Sequence, residues 1–165
     1  MYFHLRAVPP GELRGDVPWF EGLFADDWDA VRERCAEHRE VVLDKRYVSV
    51  DELYTGTRGR PGTGEFRDLP VLGAGQVIPR EDERMPPFVV LGPELVARAT
   101  EFLVGADFAE LWRARLEDHT AWHGAPEPEA AAAWRDDLAQ AHRELTEFYV
   151  RAAEAGDVVV KTLLI

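Results

Sequence analysis

The sequence contains a single cysteine, Cys35, and no apolar run that approaches the length of a membrane span. One thiol excludes an intramolecular disulfide, and a spanning helix requires about 20 apolar residues. The opening residues, MYFHLRAVPP, also lack the charged start and the apolar run of a secretory signal. These absences predict a cytoplasmic protein without a membrane segment.

Basic residues are scarce relative to acidic ones. The chain has 19 Lys and Arg against 31 Asp and Glu, which gives a formal net charge of -12. Such a chain repels phosphate backbones and anionic lipid on average, so nucleic acid is not an expected ligand. The acidity is typical of a soluble surface, and it also fits a surface that attracts a basic protein partner. Composition leaves both interpretations open.

The chain does contain enough apolar material for one core. It has 165 residues, 46% of them hydrophobic, and it includes five Trp, eight Phe and four Tyr. A chain of this length buries roughly two-thirds of its unfolded surface on folding. Because neither an internal repeat nor a low-complexity segment divides the sequence, we expect residues 1–165 to form a single domain.

Both ends of the sequence carry the pattern of β-strands. In YFHLRAV, the bulky residues Phe3, Leu5 and Ala7 alternate with polar ones, as in a half-buried strand. The C-terminal run VVVKTLLI is rich in β-branched residues and follows a turn at Gly156, so it predicts a strand able to pair with the first. The segments LPVLGAGQVIP and PFVVL are interpreted as a strand or as buried extended chain.

Capping residues and helical spacing predict five helices between the terminal strands. The clearest start is Asp107, because Glu110 follows three residues later as in a capping box. The longest pattern runs from about Trp134 to Gly156 with apolar residues every three or four positions, which predicts a helix of about 38 Å. The other predicted helices begin near Asp16, at Asp26 or Asp27, and at Pro93.

The segment VVLDKRYVSVDELYTG, residues 41–56, fits two structures. Alternation around Val50 favours a strand, whereas apolar residues from Tyr47 to Tyr54 recur at helical spacing. The helical interpretation places Asp44 at the N-cap and Gly56 just after the last turn. Pattern alone leaves the two structures open.

A glycine-rich stretch, TGTRGRPGTGEFRD at residues 55–68, predicts a long loop. Its arginines give it a local positive charge, which keeps an anion-binding hypothesis open, but the Gly-Lys-Ser/Thr pattern of phosphate loops does not follow. Together with the preceding segment, this loop supplies our hypothesis of a small-ligand or enzymatic site. The residues of that hypothetical site are Asp44, Lys45, Tyr47, Asp51, Thr55, Arg58 and Arg60.

The sequence does not provide a recognisable catalytic constellation. A Gly-x-Ser-x-Gly nucleophile elbow is missing, and Cys35 continues the apolar stripe of a predicted helix, so we interpret it as a core residue. Adjacent carboxylates such as Asp51 and Glu52 do not face each other on a helix. We therefore assign no catalytic residue and no cofactor, and the composition favours a binding function over an enzymatic one without deciding between them.

Two histidines raise the question of a metal site. His119 and His123 are four residues apart, the spacing that places two imidazoles on one helix face. The residue after His119 is Thr120, however, where a metalloprotease helix carries its glutamate, and the helix signals end shortly afterwards. We expect no metal here. A metal site would require a third ligand, for which the candidates are His4, His142 and Glu147.

Several motifs resemble a known family. The block LDKRYVSVDELYTG resembles the most recognisable block of the YfbM-like family (DUF1877), a bacterial family of unknown function. The opening YFHLRAVPPGEL, the LPVLGAG segment and the ending LTEFYVRAAEAGDVVVKTLLI are similar to their counterparts there, so the resemblance covers nearly the whole chain. In the family this block is a helix with a Trp and one or two histidines, whereas this chain has Tyr47, Val48 and Asp51 at those positions.

The resemblance implies an α+β fold in which several helices, including one long C-terminal helix, pack around a small sheet that contains the N- and C-terminal strands. It also favours a helix for residues 44–54, and it supplies no activity. Our leading hypothesis is a non-catalytic protein-binding domain, for example an inhibitor or immunity-type protein that neutralises a basic toxin. Its support is the acidity and the aromatic residues near loops, Trp19, Phe20 and Trp122. The oligomeric state is left open.

Overall fold

The computed structural model describes residues 2–56, 66–73 and 75–164 of the chain. The predicted α+β class is confirmed, since helices surround a single antiparallel sheet. The helices are α1 Val17–Leu23, α2 Trp28–Ala36, α3 Tyr47–Thr55, α4 Pro93–Gly105, α5 Phe108–His123 and α6 Pro128–Ala155. The strands are β1 Tyr2–Val8, β2 Glu40–Val42, β3 Gln76–Ile78, β4 Phe88–Leu91 and β5 Val158–Leu164. None of these helices has the length and apolar character that crossing a membrane requires.

The two terminal strands form the centre of the sheet, as the sequence predicts. The strand order is β2-β1-β5-β4-β3, and every pairing is antiparallel. Strands β1 and β5 pair over seven residues each, with Leu5 opposite Lys161. Because the first and last strands pair with each other, formation of the sheet holds the N- and C-terminal segments side by side.

Helices cover both faces of the sheet. The larger core lies between the sheet and α3 to α6, where Leu5 of β1 and Val159 of β5 are fully buried among the helices. The smaller core lies on the opposite face, where Phe20 of α1 packs against Phe88 and Val160. Side chains alternate between the two faces along each strand, so Lys161, two residues after Val159, faces the larger core.

Most helix ends follow the predicted capping residues. Asp16 accepts a hydrogen bond from the Trp19 N–H at 3.0 Å, and Asp107 accepts one from the Ala109 N–H at 2.9 Å. Asp27, one of the two predicted alternatives, is the cap of α2. The long helix α6 ends at Gly156, whose φ of 71° is a left-handed conformation that glycine adopts readily.

Helix α3 decides the ambiguous segment, but the predicted Asp44 cap is wrong. The helix begins at Tyr47, after Arg46, whose side chain makes no capping hydrogen bond. The reason is that the Leu43 N–H still bonds to the Phe3 carbonyl of β1 at 2.9 Å, so the chain needs a turn before it can start a helix. The predicted C-terminal end is correct, since Gly56 has a φ of 66°.

Two further expectations need correction. Phe20 is 1% exposed and stacks on Phe88 with ring centroids 5.3 Å apart, so it is part of the core and not of a surface. Cys35 is half-buried at the end of α2 and is not a fully enclosed core residue. Its burial raises the pKa of its thiol to about 11, which keeps it protonated at neutral pH. The two segments that the sequence left open between strand and extended chain, LPVLGAGQVIP and PFVVL, contain β3 and β4 respectively.

Candidate functional site

Helix α3 carries three residues of the hypothetical small-ligand site, Tyr47, Asp51 and Thr55, which are four residues apart and make different contacts. The Tyr47 ring stacks on Phe3 of β1 with centroids 5.6 Å apart. The Thr55 hydroxyl donates to the backbone carbonyl of Asp51 at 3.0 Å. Asp51 itself is only 2% exposed. Of these three residues only Asp51 is buried, as are the residues on either side of it, whereas Tyr47 and Thr55 are half-buried.

Of the remaining residues of that hypothesis, the structure describes only Asp44 and Lys45. Asp44 and Lys45 are exposed in the turn before α3. Arg58 and Arg60 lie outside the described residues. The hypothesis that all seven residues form one site thus stays a prediction, with Asp51 as its one buried carboxylate among the described members.

Asp51 interacts electrostatically with the buried Lys161. This lysine sits in the middle of β5, is 1% exposed, and faces the larger core. Its Nζ donates hydrogen bonds to the carbonyl oxygens of Leu69, at 2.9 Å, and Gly73, at 3.0 Å. The Asp51 carboxylate accepts a hydrogen bond from the Leu72 N–H at 3.2 Å. Segment 69–73 is therefore held between the strand and the helix.

Burial shifts the ionisation of both groups toward neutrality. It lowers the pKa of the Lys161 ammonium to about 7, although the nearby Asp51 carboxylate acts in the opposite direction. It raises the pKa of the Asp51 carboxyl to about 6; the Leu72 N–H opposes this rise, whereas the Asp68 carboxylate adds to it. Removing a charge from water disfavours its ionised form, so each pKa lies closer to physiological pH than the ordinary value of the group.

Two more buried polar side chains, Asp68 and Tyr149, belong with Asp51 and Lys161. Asp68 is 7% exposed, and its Oδ2 atom has no hydrogen-bond partner among the described residues. The Tyr149 hydroxyl of α6 lies 3.3 Å from the Leu69 carbonyl and 3.1 Å from the Pro70 carbonyl, to which it donates. The Lys161 cluster, comprising Asp51, Asp68, Tyr149 and Lys161, thus joins three elements to one short segment.

An amine and a carboxyl with pKa values near 7 and 6 are the kinds of groups that acid–base chemistry uses. In this fold, however, the hydrogen bonds of the Lys161 cluster go to backbone atoms of residues 69–73. Its direct effect is therefore to hold that segment against the sheet. The sequence offered one sign of this cluster, a lysine in the middle of a strand of β-branched residues, whereas Asp68 and Tyr149 carried no distinguishing pattern.

A second candidate site lies at the far end of the hairpin formed by α5 and α6. We call residues 117–130 the hairpin tip. Trp122 is 85% exposed there, more than any other large hydrophobic residue of the described chain. The hairpin tip contains neither Lys nor Arg, and it carries four carboxylates, Glu117, Asp118, Glu127 and Glu129. None of the four forms an ion pair with another described residue.

Arginines cover two other aromatic rings of this hairpin. The guanidinium of Arg115 lies 5.1 Å from the ring centroid of Trp134, and that of Arg135 lies 5.7 Å from the centroid of Phe108. Arg115 also forms an ion pair with the buried carboxylate of Glu52 on α3. Both arginines therefore cover aromatic surface of the hairpin. Among the described residues, no arginine covers Trp122 at the hairpin tip in this way.

The two histidines of the metal hypothesis lie at the end of α5. The His119 and His123 rings have centroids 5.0 Å apart, and the His119 ring also contacts the edge of Trp134. The candidate third ligands have other neighbours: His142 is 3.0 Å from the Tyr54 hydroxyl, and Glu147 is 3.5 Å from His38. Within the described residues, no group of three potential metal ligands comes together.

Sequence reasoning missed a further buried charge cluster, which lies on the opposite face of the sheet. Glu40 is 1% exposed, and its carboxylate lies 3.3 Å from His4 Nδ1 and accepts a 2.6 Å hydrogen bond from Arg34. Arg34 also pairs with Asp26 at 3.0 Å. This cluster connects α2 to β1 and β2. His4, the third candidate metal ligand, therefore lies against Glu40 in this cluster.

These features define an acidic α+β domain built on a five-stranded antiparallel sheet, with a buried lysine cluster on one face and an exposed tryptophan at the end of a helical hairpin. A family model described as "Domain of unknown function (DUF1877)" matches residues 2–162. The chain therefore belongs to this family, as its motifs predict.

The structural comparison agrees with the family assignment. The fold is similar to the crystal structure of YfbM from Escherichia coli, a protein of unknown function, with a TM-score of 0.63 and 17% sequence identity. The match covers 99% of this chain and 100% of that one. At this level of identity the likeness establishes the fold. The search of curated proteins returned no match.

Proposed function

We propose that this protein is a non-catalytic binding protein that engages a basic protein partner through the hairpin tip. The observation that carries the proposal is the exposure of Trp122, at 85%. Exposing an indole to water is unfavourable, and tryptophan is among the residues most enriched at the energetic centres of protein interfaces. A partner that covers Trp122 would remove this apolar surface from water.

Charge supports the same surface. The four carboxylates of the hairpin tip surround Trp122 in sequence without a neighbouring Lys or Arg, so their field attracts a positively charged partner. The other strongly exposed tryptophan, Trp28, makes a useful contrast. Two of its three acidic neighbours are already paired within the described chain, Asp29 with Arg32 at 2.7 Å and Asp26 with Arg34 at 3.0 Å, and Asp27 caps α2.

One version of the proposal is an inhibitor or immunity-type protein. The active clefts of nucleases are positively charged because they bind phosphate backbones. An acidic, tryptophan-bearing projection such as the hairpin tip is suited to occupying such a cleft, and electrostatic attraction would speed the encounter. In this version the protein acts by covering its partner's site and needs no chemistry of its own.

The test is affinity capture from lysate of the source organism with matched tryptophan variants. Wild-type protein, Trp122→Ala and Trp28→Ala are compared at low and at raised salt. We expect at least one protein that wild type and Trp28→Ala retain, that Trp122→Ala loses, and whose retention falls as salt rises. An identical set of captured proteins for all three forms would contradict the proposal.

A second candidate function is small-ligand binding beside α3, and the observation that favours it is the shifted pKa of Asp51. Its test is native mass spectrometry of untagged protein purified gently from its own cells. A retained mass of a few hundred daltons that Asp51→Asn abolishes would support this candidate. A spectrum with only the bare 18.6 kDa chain would count against a tightly bound ligand.

A further inference from the structure

Arginines of this chain lie over several of its partly exposed aromatic rings. Besides Arg115 on Trp134 and Arg135 on Phe108, the Arg98 guanidinium lies 5.4 Å from the centroid of Phe66, a half-exposed ring. Such contacts combine the attraction of a cation to a π face with the removal of apolar surface from water. Within the described fold, arginine side chains are therefore the cations that lie over aromatic rings.

The contact at Arg115 is the most complete of these. Its guanidinium lies over the Trp134 indole and at the same time pairs with the carboxylate of Glu52. A planar guanidinium can do both, because its face stacks on a ring while its edge donates to a carboxylate. One tryptophan and one carboxylate from different helices thus bind one arginine side chain together.

The hairpin tip presents the same two receptor groups, and no arginine from the described part of the chain lies on them. Asp118 and Trp122 are four residues apart on α5, so their side chains lie on the same face one turn apart. Among the described residues, Asp118 forms no ion pair and no arginine lies over Trp122. Asp118 Oδ2 is also close to the end of α3, 3.7 Å from the position that a Cβ atom at Gly56 would occupy.

We infer that the partner's contact group at the hairpin tip is an arginine side chain, which stacks its guanidinium on Trp122 and pairs with Asp118. This inference rests on the proposed function and specifies its partner chemistry. Arginine fits better than lysine because a planar guanidinium can stack on a ring while it donates two hydrogen bonds to a carboxylate. The ammonium of lysine is a compact, hydrated charge that cannot do both. The complex repeats, between two proteins, the contact that Arg115 makes within one.

The test is a peptide titration followed by NMR of the five tryptophan indole N–H groups. The Trp122 signal is assigned with Trp122→Phe, and the probes are Gly-Gly-Arg-Gly-Gly and its lysine and citrulline counterparts. We expect the arginine peptide to shift the Trp122 signal most, the lysine peptide less, and the neutral citrulline peptide not at all. Asp118→Asn should weaken the arginine response by about threefold or more, whereas Asp29→Asn should leave it unchanged.

Three results would overturn the inference: no Trp122 response to the arginine peptide, an equal response to the citrulline peptide, or an Asp118→Asn response equal to that of wild type. The proposed function can fail separately. If Trp122→Ala loses a captured partner while the arginine peptide has no effect, the hairpin tip binds a partner by other contacts. If the arginine peptide binds and the captured proteins do not change, arginine recognition is real and the protein-partner proposal is wrong.

Discussion

The Nζ atom of Lys161 donates a hydrogen bond of 2.9 Å to the carbonyl oxygen of Leu69. This contact joins the centre of the sheet to the segment before β3. It gives the buried ammonium a hydrogen-bond acceptor in place of water. Burying a charge is unfavourable unless it is paired and hydrogen-bonded, so the pH dependence of folding should reveal the cost.

Replacing Lys161 with methionine should remove one component of that pH dependence. The pKa of Lys161 is lowered from 10.5 to about 7 in the folded protein. Its contribution to stability is therefore fully present above pH 10.5 and is lost as pH falls through about 7. Between pH 7 and pH 9, wild type should gain about 2 kcal/mol relative to Lys161→Met in urea unfolding. A constant difference between the two proteins would contradict the lowered pKa.

Asp51→Asn should act in the acidic range with the opposite sign. The pKa of Asp51 is raised from 3.8 to about 6, so its contribution to stability is present below pH 3.8 and is lost as pH rises through about 6. The amide resembles the protonated acid. The variant should match wild type near pH 4 and exceed its unfolding free energy by about 2 kcal/mol at pH 7. A variant equally or less stable at pH 7 would refute this description of Asp51.

Gly73 tests how closely the segment under Lys161 is packed. A Cβ atom at this position would lie 2.0 Å from the Asp68 carbonyl oxygen, a distance that requires the backbone to move. Gly73→Ala should therefore lower the midpoint of thermal unfolding clearly. The control is Gly22→Ala within α1, where nothing lies within 4 Å and alanine favours the helix by about 0.5–1 kcal/mol. Equal effects of the two substitutions would contradict the packing.

Trp122 should contribute little to folding. Truncating Trp122, which is 85% exposed, should change the unfolding free energy by less than about 0.5 kcal/mol. Truncating Trp112 on the same helix, which is 9% exposed and packs against Trp134, should cost about 3–5 kcal/mol. If Trp122→Ala destabilises the protein as much as Trp112→Ala, the indole belongs to the fold and not to a binding surface.

Local sequence signals predicted much of the fold. Alternation predicted β1, β-branched residues predicted β5, and capping aspartates at residues 16 and 107 predicted the starts of two helices, because these effects depend on side chains a few positions apart. The Asp44 cap failed because a long-range hydrogen bond, from Leu43 to Phe3, delays the start of α3. Contacts between distant parts of the chain are not visible in such local patterns.

The same distinction applies to the candidate sites. The exposure of Trp122 was anticipated from a sequence that ends a helix with Gly124 and returns through Pro126, because such turns lie at the surface. The Lys161 cluster was not anticipated, since it joins Asp51 to residues 17 and 110 positions further along the chain. Phe20 was misjudged for a related reason: its burial depends on Phe88 of β4, which lies 68 positions away in sequence but stacks on it.

The most direct test of the hairpin tip as a protein-binding surface is site-specific photocrosslinking in cells of the source organism. A photoreactive amino acid is placed at position 125, which is exposed in the hairpin tip three residues after Trp122, so that Trp122 stays intact. The matched control is position 25, which is exposed three residues before Trp28. We predict a discrete protein adduct from position 125 that position 25 does not give and that Trp122→Ala abolishes. Indistinguishable crosslinking from the two positions would contradict a binding role for the hairpin tip.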